Sequence, residues 1–308
     1  MTQRRQIEIL VLGGTGMLGH KMFQRLRERF AETYCTIRGS VRDAALEHIE
    51  LFQAGNVCEH VDAADYASLQ SLLRDRQPKV IVNCVGVVKQ RREAQEALPS
   101  ILVNALLPHR LAETCSAWGG RLIHISTDCV FNGRRGEYRE TDTSDAEDLY
   151  GRTKALGEMA EVGNALTLRT SIIGRELFHF QSLLEWFLAQ DHTRVRGYQR
   201  AMYSGTTTSE LAAVVGDIID DHPQLGGLYQ VTGPTVSKYE LLSLLRDAYA
   251  LDVEILPDNE FFCDRSMNGE KFCVATGYVR PTWPQLAKDL AGDETPYEQW
   301  RRLKHEVL

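Results

Sequence analysis

The chain has 308 residues, 43% of them hydrophobic and 25% charged, with a formal net charge of −7. Those figures describe a soluble globule long enough for one large domain or two unequal ones, and the acidic balance argues against nucleic acid or an anionic membrane as the main partner while leaving small anionic ligands open. Seven cysteines, with no C-x-x-C pair among them, argue against a disulfide frame or a zinc site and predict reduced thiols in a cytoplasmic protein. The basic start, MTQRR, leads into an apolar run too short for a secretory or membrane-spanning segment.

In chain order, short apolar runs alternate with helix-length segments. The predicted strands are 7–12, 33–38, 57–61, 80–85, 121–126 and 165–169, and the predicted helices are 17–30, 65–76, 100–118 and 150–162. Runs such as VIVNCV and RLIHIS are apolar on successive residues, as strands covered on both faces must be. Such alternation predicts an α/β fold with a parallel sheet wrapped by helices. Beyond residue 170 the alternation loosens. Residues 1–170 therefore read as a nucleotide-binding domain with returning segments near 205–230, and 171–308 mainly as a smaller, interleaved substrate-binding region.

The first strand hands over to its helix through Gly13, Gly14, Gly16 and Gly19. Glycine inside an element costs roughly 0.5–1 kcal/mol relative to alanine, so this concentration must serve a backbone geometry that side chains would forbid. Gly13-x-x-Gly16-x-x-Gly19 between strand and helix is the context of a dinucleotide-binding turn. Gly13 permits the turn, Gly16 lets a pyrophosphate approach backbone N–H groups, and Gly19 lets helix pack on strand. Thr15, Met17 and Leu18 complete the expected contacts. The fold expected is a Rossmann-like doubly wound sheet.

At the end of the second strand a carboxylate would hold a free ribose 2′-hydroxyl, whereas basic residues suit a 2′-phosphate. CTIRGSVRD places Arg38, Ser40 and Arg42 there, with no acid before Asp43. This favours NADP(H) over NAD(H). Asp62, after the third strand, is placed either to accept from an adenine amino group or to cap a turn.

Tyr150 and Lys154 are four apart, so a helix puts them on one face. A phenol is a poor acid near neutrality unless a neighbouring cation favours its anion, and Lys154 supplies the charge. This pair follows a strand end carrying Ser126 and Thr127, where an open α/β sheet places its site.

The glycine turn, VNCVG, ISTDCVFNG, Y-x-x-x-K and LRTSIIG, in that order, resemble the extended short-chain dehydrogenases/reductases, and most closely the branch of dTDP-4-dehydrorhamnose reductase and related nucleotide-sugar reductases. The resemblance implies a catalytic set of Thr127, Tyr150 and Lys154, cofactor contacts from Cys84, Val85 and Gly86, and Ile173 near the nicotinamide. It also implies a sugar site around Thr127, Asp128 and Cys129, where the family usually has tyrosine at the Cys129 position. Lys89, Arg265 and Lys271 are candidates for the substrate's diphosphate or nucleotide. Dehydratases of the superfamily carry an Asp-Glu pair after the threonine; here Asp128 precedes Cys129, which counts against dehydration. The arginines after the second strand count against an NAD-holding epimerase. The expected activity is NADPH-dependent reduction of a keto group, at C4, of a nucleotide-linked deoxysugar. The rival is a non-catalytic NADP-binding subunit like the β-subunit of methionine adenosyltransferase. No nucleic-acid, membrane or metal partner is expected, and a homodimer is compatible with the resemblance.

Overall fold

The computed structural model describes residues 8–43, 45–88 and 96–306. The first half runs β1 (Ile9–Leu12), α1 (Met17–Arg29), β2 (Thr33–Thr36), α2 (Glu50–Gln53), β3 (Val57–Cys58), α3 (Tyr66–Arg76), β4 (Val80–Asn83), α4 (Ala97–Ser100), α5 (Leu107–Ser116) and β5 (Arg121–Thr127). It continues through α6 (Leu149–Leu156), β6 (Ala165–Thr170), β7 (Ile172–Ile173), α7 (Leu183–Leu188), β8 (Arg194–Tyr203), β9 (Thr206–Thr207), α8 (Thr208–Asp221) and β10 (Gly227–Gln230). The chain then adds β11 (Val236–Ser237), α9 (Lys238–Tyr249), β12 (Glu254–Asp264), α10 (Glu270–Thr276), α11 (Trp283–Ala291) and α12 (Tyr297–Glu306).

The main sheet is parallel, in the order β10-β6-β5-β4-β1-β2-β3. Its order reverses between β1 and β4, and a crevice opens at the carboxyl ends of strands at such a switch point. Successive β1 residues explain why this strand is apolar throughout. Ile9 and Val11 pack with Met22, Phe23 and Val215, while Leu10 and Leu12 pack on the opposite face with Leu69, Leu73 and Leu111. Burying side chains such as Met22 and Phe23 completely contributes roughly 1.5–3 kcal/mol apiece. A third core, with Leu184, Phe187, Leu241 and Trp283, lies under the small β11-β8-β12 sheet.

The third strand, expected over 57–61, is only Val57–Cys58, and two expected helices differ. The segment expected as one helix over 100–118 contains a π-helical stretch at Ile101–Leu106, which inserts Asn104 into the protein. The helix expected over 150–162 stops at Leu156 with Gly157 as its C-cap, where a Cβ would lie 2.1 Å from the Asn104 carbonyl oxygen, so only glycine fits. Among the described residues no helix is long and apolar enough to cross a membrane, and all seven cysteines are free thiols.

Candidate active site

The crevice has two adjoining lobes, with Gly16, Cys84, Val85 and Gly86 lining both. The first is shaped by the glycine turn. Gly13 has φ +85° and donates its N–H to Thr36 Oγ1 at 3.1 Å. Gly16 is the N-cap of α1 and has no side chain to cap it, which leaves the helix start to serve an anion. A Cβ at Gly19 would stand 1.9 Å from Gly13 O, so only glycine lets α1 sit this close to the turn. His20 secures the turn from behind. Its Nδ1 lies 2.8 Å from Gly16 O, a pure acceptor, so Nδ1 carries the proton and Nε2 accepts from the Tyr297 hydroxyl at 2.8 Å. Burial pushes this imidazole down to about 4, so it stays neutral.

Thr15, Arg38 and Asp62 line the first lobe, and Asp62 also accepts from Ala64 N–H at 2.9 Å in a turn. The turn after β2 is more occupied than its sequence suggests. Ser40 N–H donates to Asp43 Oδ2 at 2.8 Å, Val41 N–H to Glu59 Oε1 at 2.8 Å, and Ser40 Oγ to Glu59 Oε1 at 3.3 Å. Arg42 donates its backbone N–H to Ser40 Oγ at 3.2 Å and its exposed side chain lines neither lobe. Arg38 therefore remains the guanidinium at this end of the cleft.

The second lobe is lined by Met17, Leu18, Thr127, Asp128, Cys129, Tyr150 and Lys154. Thr127 ends β5; its hydroxyl accepts from Cys129 N–H at 3.1 Å and donates to Asp128 Oδ1 at 3.1 Å. Asp148 caps α6 through Gly151 N–H at 2.9 Å, and this fixes where Tyr150 and Lys154 project. Burial, with Cys129 adding to it, raises the Tyr150 phenol above its ordinary value, while a hydrogen bond with Thr127 pulls it down. Burial also pushes the Cys84 and Cys129 thiols up to about 12 each.

The Lys154 ammonium donates to Ile125 O at 2.7 Å. Burial pushes this amine down to about 8, against the pull of Glu158 and Cys84. Beneath it is a buried Asn83–His124 pair that the sequence reading missed. Val85 N–H donates to Asn83 Oδ1 at 3.1 Å, which orients the amide so that Nδ2 donates to His124 Nδ1 at 3.1 Å. The imidazole proton then sits on Nε2, 3.5 Å from Lys154 Nζ. Asn104, also missed, clamps Val87 through its N–H at 2.9 Å and its carbonyl at 3.1 Å, and reaches Thr153 at 3.3 Å. A buried asparagine inside the apolar run ILVNALL was the available signal. Ser126 donates to Glu158 at 2.6 Å, and Arg169 holds the same carboxylate at 2.7 and 2.8 Å.

Two candidates, Ile173 and Lys271, do not line the cleft. Ile173 turns into the core beside Leu184 and Phe187, and its neighbour Ile172 lines the cleft, because side chains alternate along β7. Lys271 lies on α10, donating to Leu228 O at 2.7 Å with its ammonium 4.3 Å from the Tyr229 ring centroid. Lys89 lies outside the described residues. Arg265 donates to Phe131 O at 2.8 Å, and its charge acts on Cys129.

A sheet of this order, with a glycine turn at β1 and Thr127, Tyr150 and Lys154 at its carboxyl edge, defines an extended short-chain dehydrogenase/reductase. The chain belongs to the RmlD-like family within that class, because the family model described as "RmlD substrate binding domain" matches residues 7–260. It is 26% identical over 262 residues to methionine adenosyltransferase 2 subunit beta of Xenopus tropicalis, covering 79% of this chain and 72% of that one. It is 32% identical over 152 residues to dTDP-4-dehydrorhamnose reductase of Streptomyces griseus, covering 49% and 43%. In fold it resembles the dTDP-4-dehydrorhamnose reductase of Bacillus anthracis, solved in complex with NADP, with TM-score 0.74 at 18% identity, covering 93% and 99%.

Proposed function

We propose that this protein is a nucleotide-sugar ketoreductase that uses NADPH to reduce a keto group, at C4, of a nucleotide-linked deoxysugar. The observation that carries the reading is Thr127, Tyr150 and Lys154 lining one lobe while the glycine turn lines the other. A dinucleotide fits the first lobe because Gly16 lines both lobes and has no side chain to stand in the space. Gly13, Thr15, Gly16 and the start of α1 would hold the pyrophosphate. Arg38 would hold the adenosine end, and Lys154 the nicotinamide ribose. When bound, NADPH supplies the hydride. Tyr150, kept protonated by burial, donates its proton to the alkoxide oxygen. Thr127, whose hydroxyl donates to Asp128 in the structure, would turn that proton to the same oxygen when substrate is bound. Lys154 keeps a positive charge behind the phenol as the proton leaves. In this reading 1–170 is chiefly the cofactor domain and 171–308 chiefly the substrate region.

Relatives named dTDP-4-dehydrorhamnose reductase support the reductase reading. Those named methionine adenosyltransferase 2 subunit beta support the rival of a non-catalytic cofactor-binding subunit. The Thr127, Tyr150 and Lys154 set favours the enzyme. The test is NADPH oxidation against dTDP-, UDP- and GDP-linked 4-keto sugars. Turnover on one of them supports the reading. A stoichiometric complex with a methionine adenosyltransferase, with no NADPH oxidation on any sugar, replaces it with the rival.

A further inference from the structure

Among the described residues, the region beyond Thr170 lines the second lobe through one segment only, with Ser171, Ile172, Glu176, His179, Gln181 and Ser182. This segment is β7 and the loop that joins it to α7. The loop is anchored twice. Glu176 Oε2 accepts the backbone N–H groups of Gln181 at 2.6 Å and Ser182 at 2.8 Å, and the Glu176 N–H donates to Glu185 Oε1 at 2.8 Å. Arg301 donates to Glu185 Oε1 at 2.6 Å and to Glu176 O at 3.3 Å, and its guanidinium carbon lies 4.4 Å from the Phe180 ring centroid.

Between these anchors the backbone turns sharply, with φ +73° at His179 and +50° at Phe180. Successive non-glycine residues in the left-handed region persist only where their surroundings dictate it, and such strain gathers at ligand clamps. The turn divides the loop. Phe180 lines a small apolar cavity with Tyr297 and Trp300, whereas His179 and Gln181 line the cleft. Glu176 is occupied by its two N–H groups, and Ser182 caps α7 through Glu185 N–H at 3.4 Å. The His179 imidazole and the Gln181 carboxamide make no hydrogen bond among the described residues. Both line the lobe of Thr127, Tyr150 and Lys154, and neither lines the first lobe. Imidazole and carboxamide each donate and accept. A diphosphate only accepts and would use half of that capacity, whereas the hydroxyls of a sugar ring use all of it.

We propose that His179 and Gln181 read the sugar ring, each bonding a ring hydroxyl away from the keto carbon, so that the 176–182 loop is the means by which the C-terminal region selects the sugar. The proposal rests on the nucleotide-sugar reading above and deepens it. A nicotinamide carboxamide also donates and accepts, and the cofactor arm of the test separates it from the sugar.

The test is calorimetric binding of dTDP-glucose, UDP-glucose and GDP-mannose, each against its free nucleoside diphosphate, to the NADP-loaded full-length protein, with NADP itself titrated separately. His179→Ala and Gln181→Ala should each weaken the best-bound nucleotide sugar by about 3- to 10-fold, the scale of one neutral hydrogen bond. The matching free nucleotide and NADP should change by less than about 2-fold. His179→Gly, which accepts the left-handed backbone without strain, should lose as much as His179→Ala. His179→Asn tolerates the same backbone and still donates and accepts, so it should keep most of the affinity. Binding restored by glycine would show that backbone strain and not the imidazole sets the affinity, and would overturn the contact. Equal losses for sugar and free nucleotide would move the pair to the diphosphate, and a loss of NADP affinity would move it to the nicotinamide; either overturns the proposal. Unchanged sugar affinity in variants of a protein that reduces a keto sugar would overturn it and leave the reductase reading standing. Selective loss of sugar binding in a protein that never oxidises NADPH would overturn the reductase reading and leave the loop's role standing. If the unsubstituted protein binds no nucleotide sugar, both fall together.

Discussion

Lys154 lines the second lobe and Lys238 begins α9, and burial pushes both amines down to about 8. Lys154 has a carbonyl partner at 2.7 Å and a histidine oriented beneath it. Lys238 has a ring face and a distant carboxylate, and no hydrogen bond among the described residues. The same residue type is thus held by a hydrogen bond in one place and by an aromatic face in the other.

The sharpest way to break that contrast is at Tyr150. Tyr150→Phe should lower turnover by roughly 10²-fold or more, the scale of a lost general acid. NADPH affinity should stay nearly unchanged. Near-normal turnover in this variant would remove the chemistry from the Lys154 end.

The second is pH. In the folded protein Lys154 is charged below about 8, whereas the ordinary lysine value is 10.5. Its neighbours that titrate or carry protons are Glu158, Cys84 and His124. Because its folded value is depressed, burying the charge weakens the fold below about 8, and that penalty fades as pH rises from about 8 to 10.5. A step that needs the ammonium runs the other way, so kcat should fall as pH rises through about 8, approaching tenfold per unit. His124→Phe removes the N–H that faces Lys154 and should move this limb upward by less than about one unit. Lys238→Met should leave it in place. A limb that moves with Lys238 instead would exchange the roles of the two lysines.

The smallest effect belongs to the first lobe. Arg38→Ala should weaken NADPH by several-fold to about tenfold and NADH hardly at all. The preference is modest because Asp43 and Glu59 already occupy the Ser40 and Val41 N–H groups. Titration of both dinucleotides against both proteins checks it; equal affinities in the unsubstituted protein would remove Arg38 from this role.

The same contrast decides what could be read from sequence. Gly13, Gly16 and Gly19, the VNCVG strand end, and Tyr150 with Lys154 are each encoded within a few residues at the end of a strand or start of a helix. Periodicity and spacing report such local geometry directly. Lys238 meets the Tyr203 ring only after two distant segments have folded, so no spacing announces the pair. Charge alone could not separate Arg265, whose charge acts on Cys129, from Lys271, which reaches from α10 to a carbonyl of β10. The parity of Ile172 and Ile173 was set by pairing with Thr206 and Thr207, 34 residues away in each case. The loss of hydrogen-bonding capacity at Ser40 came from Glu59, on the next strand's exit.

The most direct test of the central claim is to follow the hydride. With NADPH deuterated at its transferable position and the preferred 4-keto nucleotide sugar, absorbance at about 340 nm should fall by one NADPH per product, as net reduction by a nicotinamide requires. The deuterium should end on the sugar ring carbon that carried the keto group. Product that forms while the absorbance holds constant, as a dehydratase or epimerase would give, contradicts the assignment even with the fold and the Thr127, Tyr150 and Lys154 set intact.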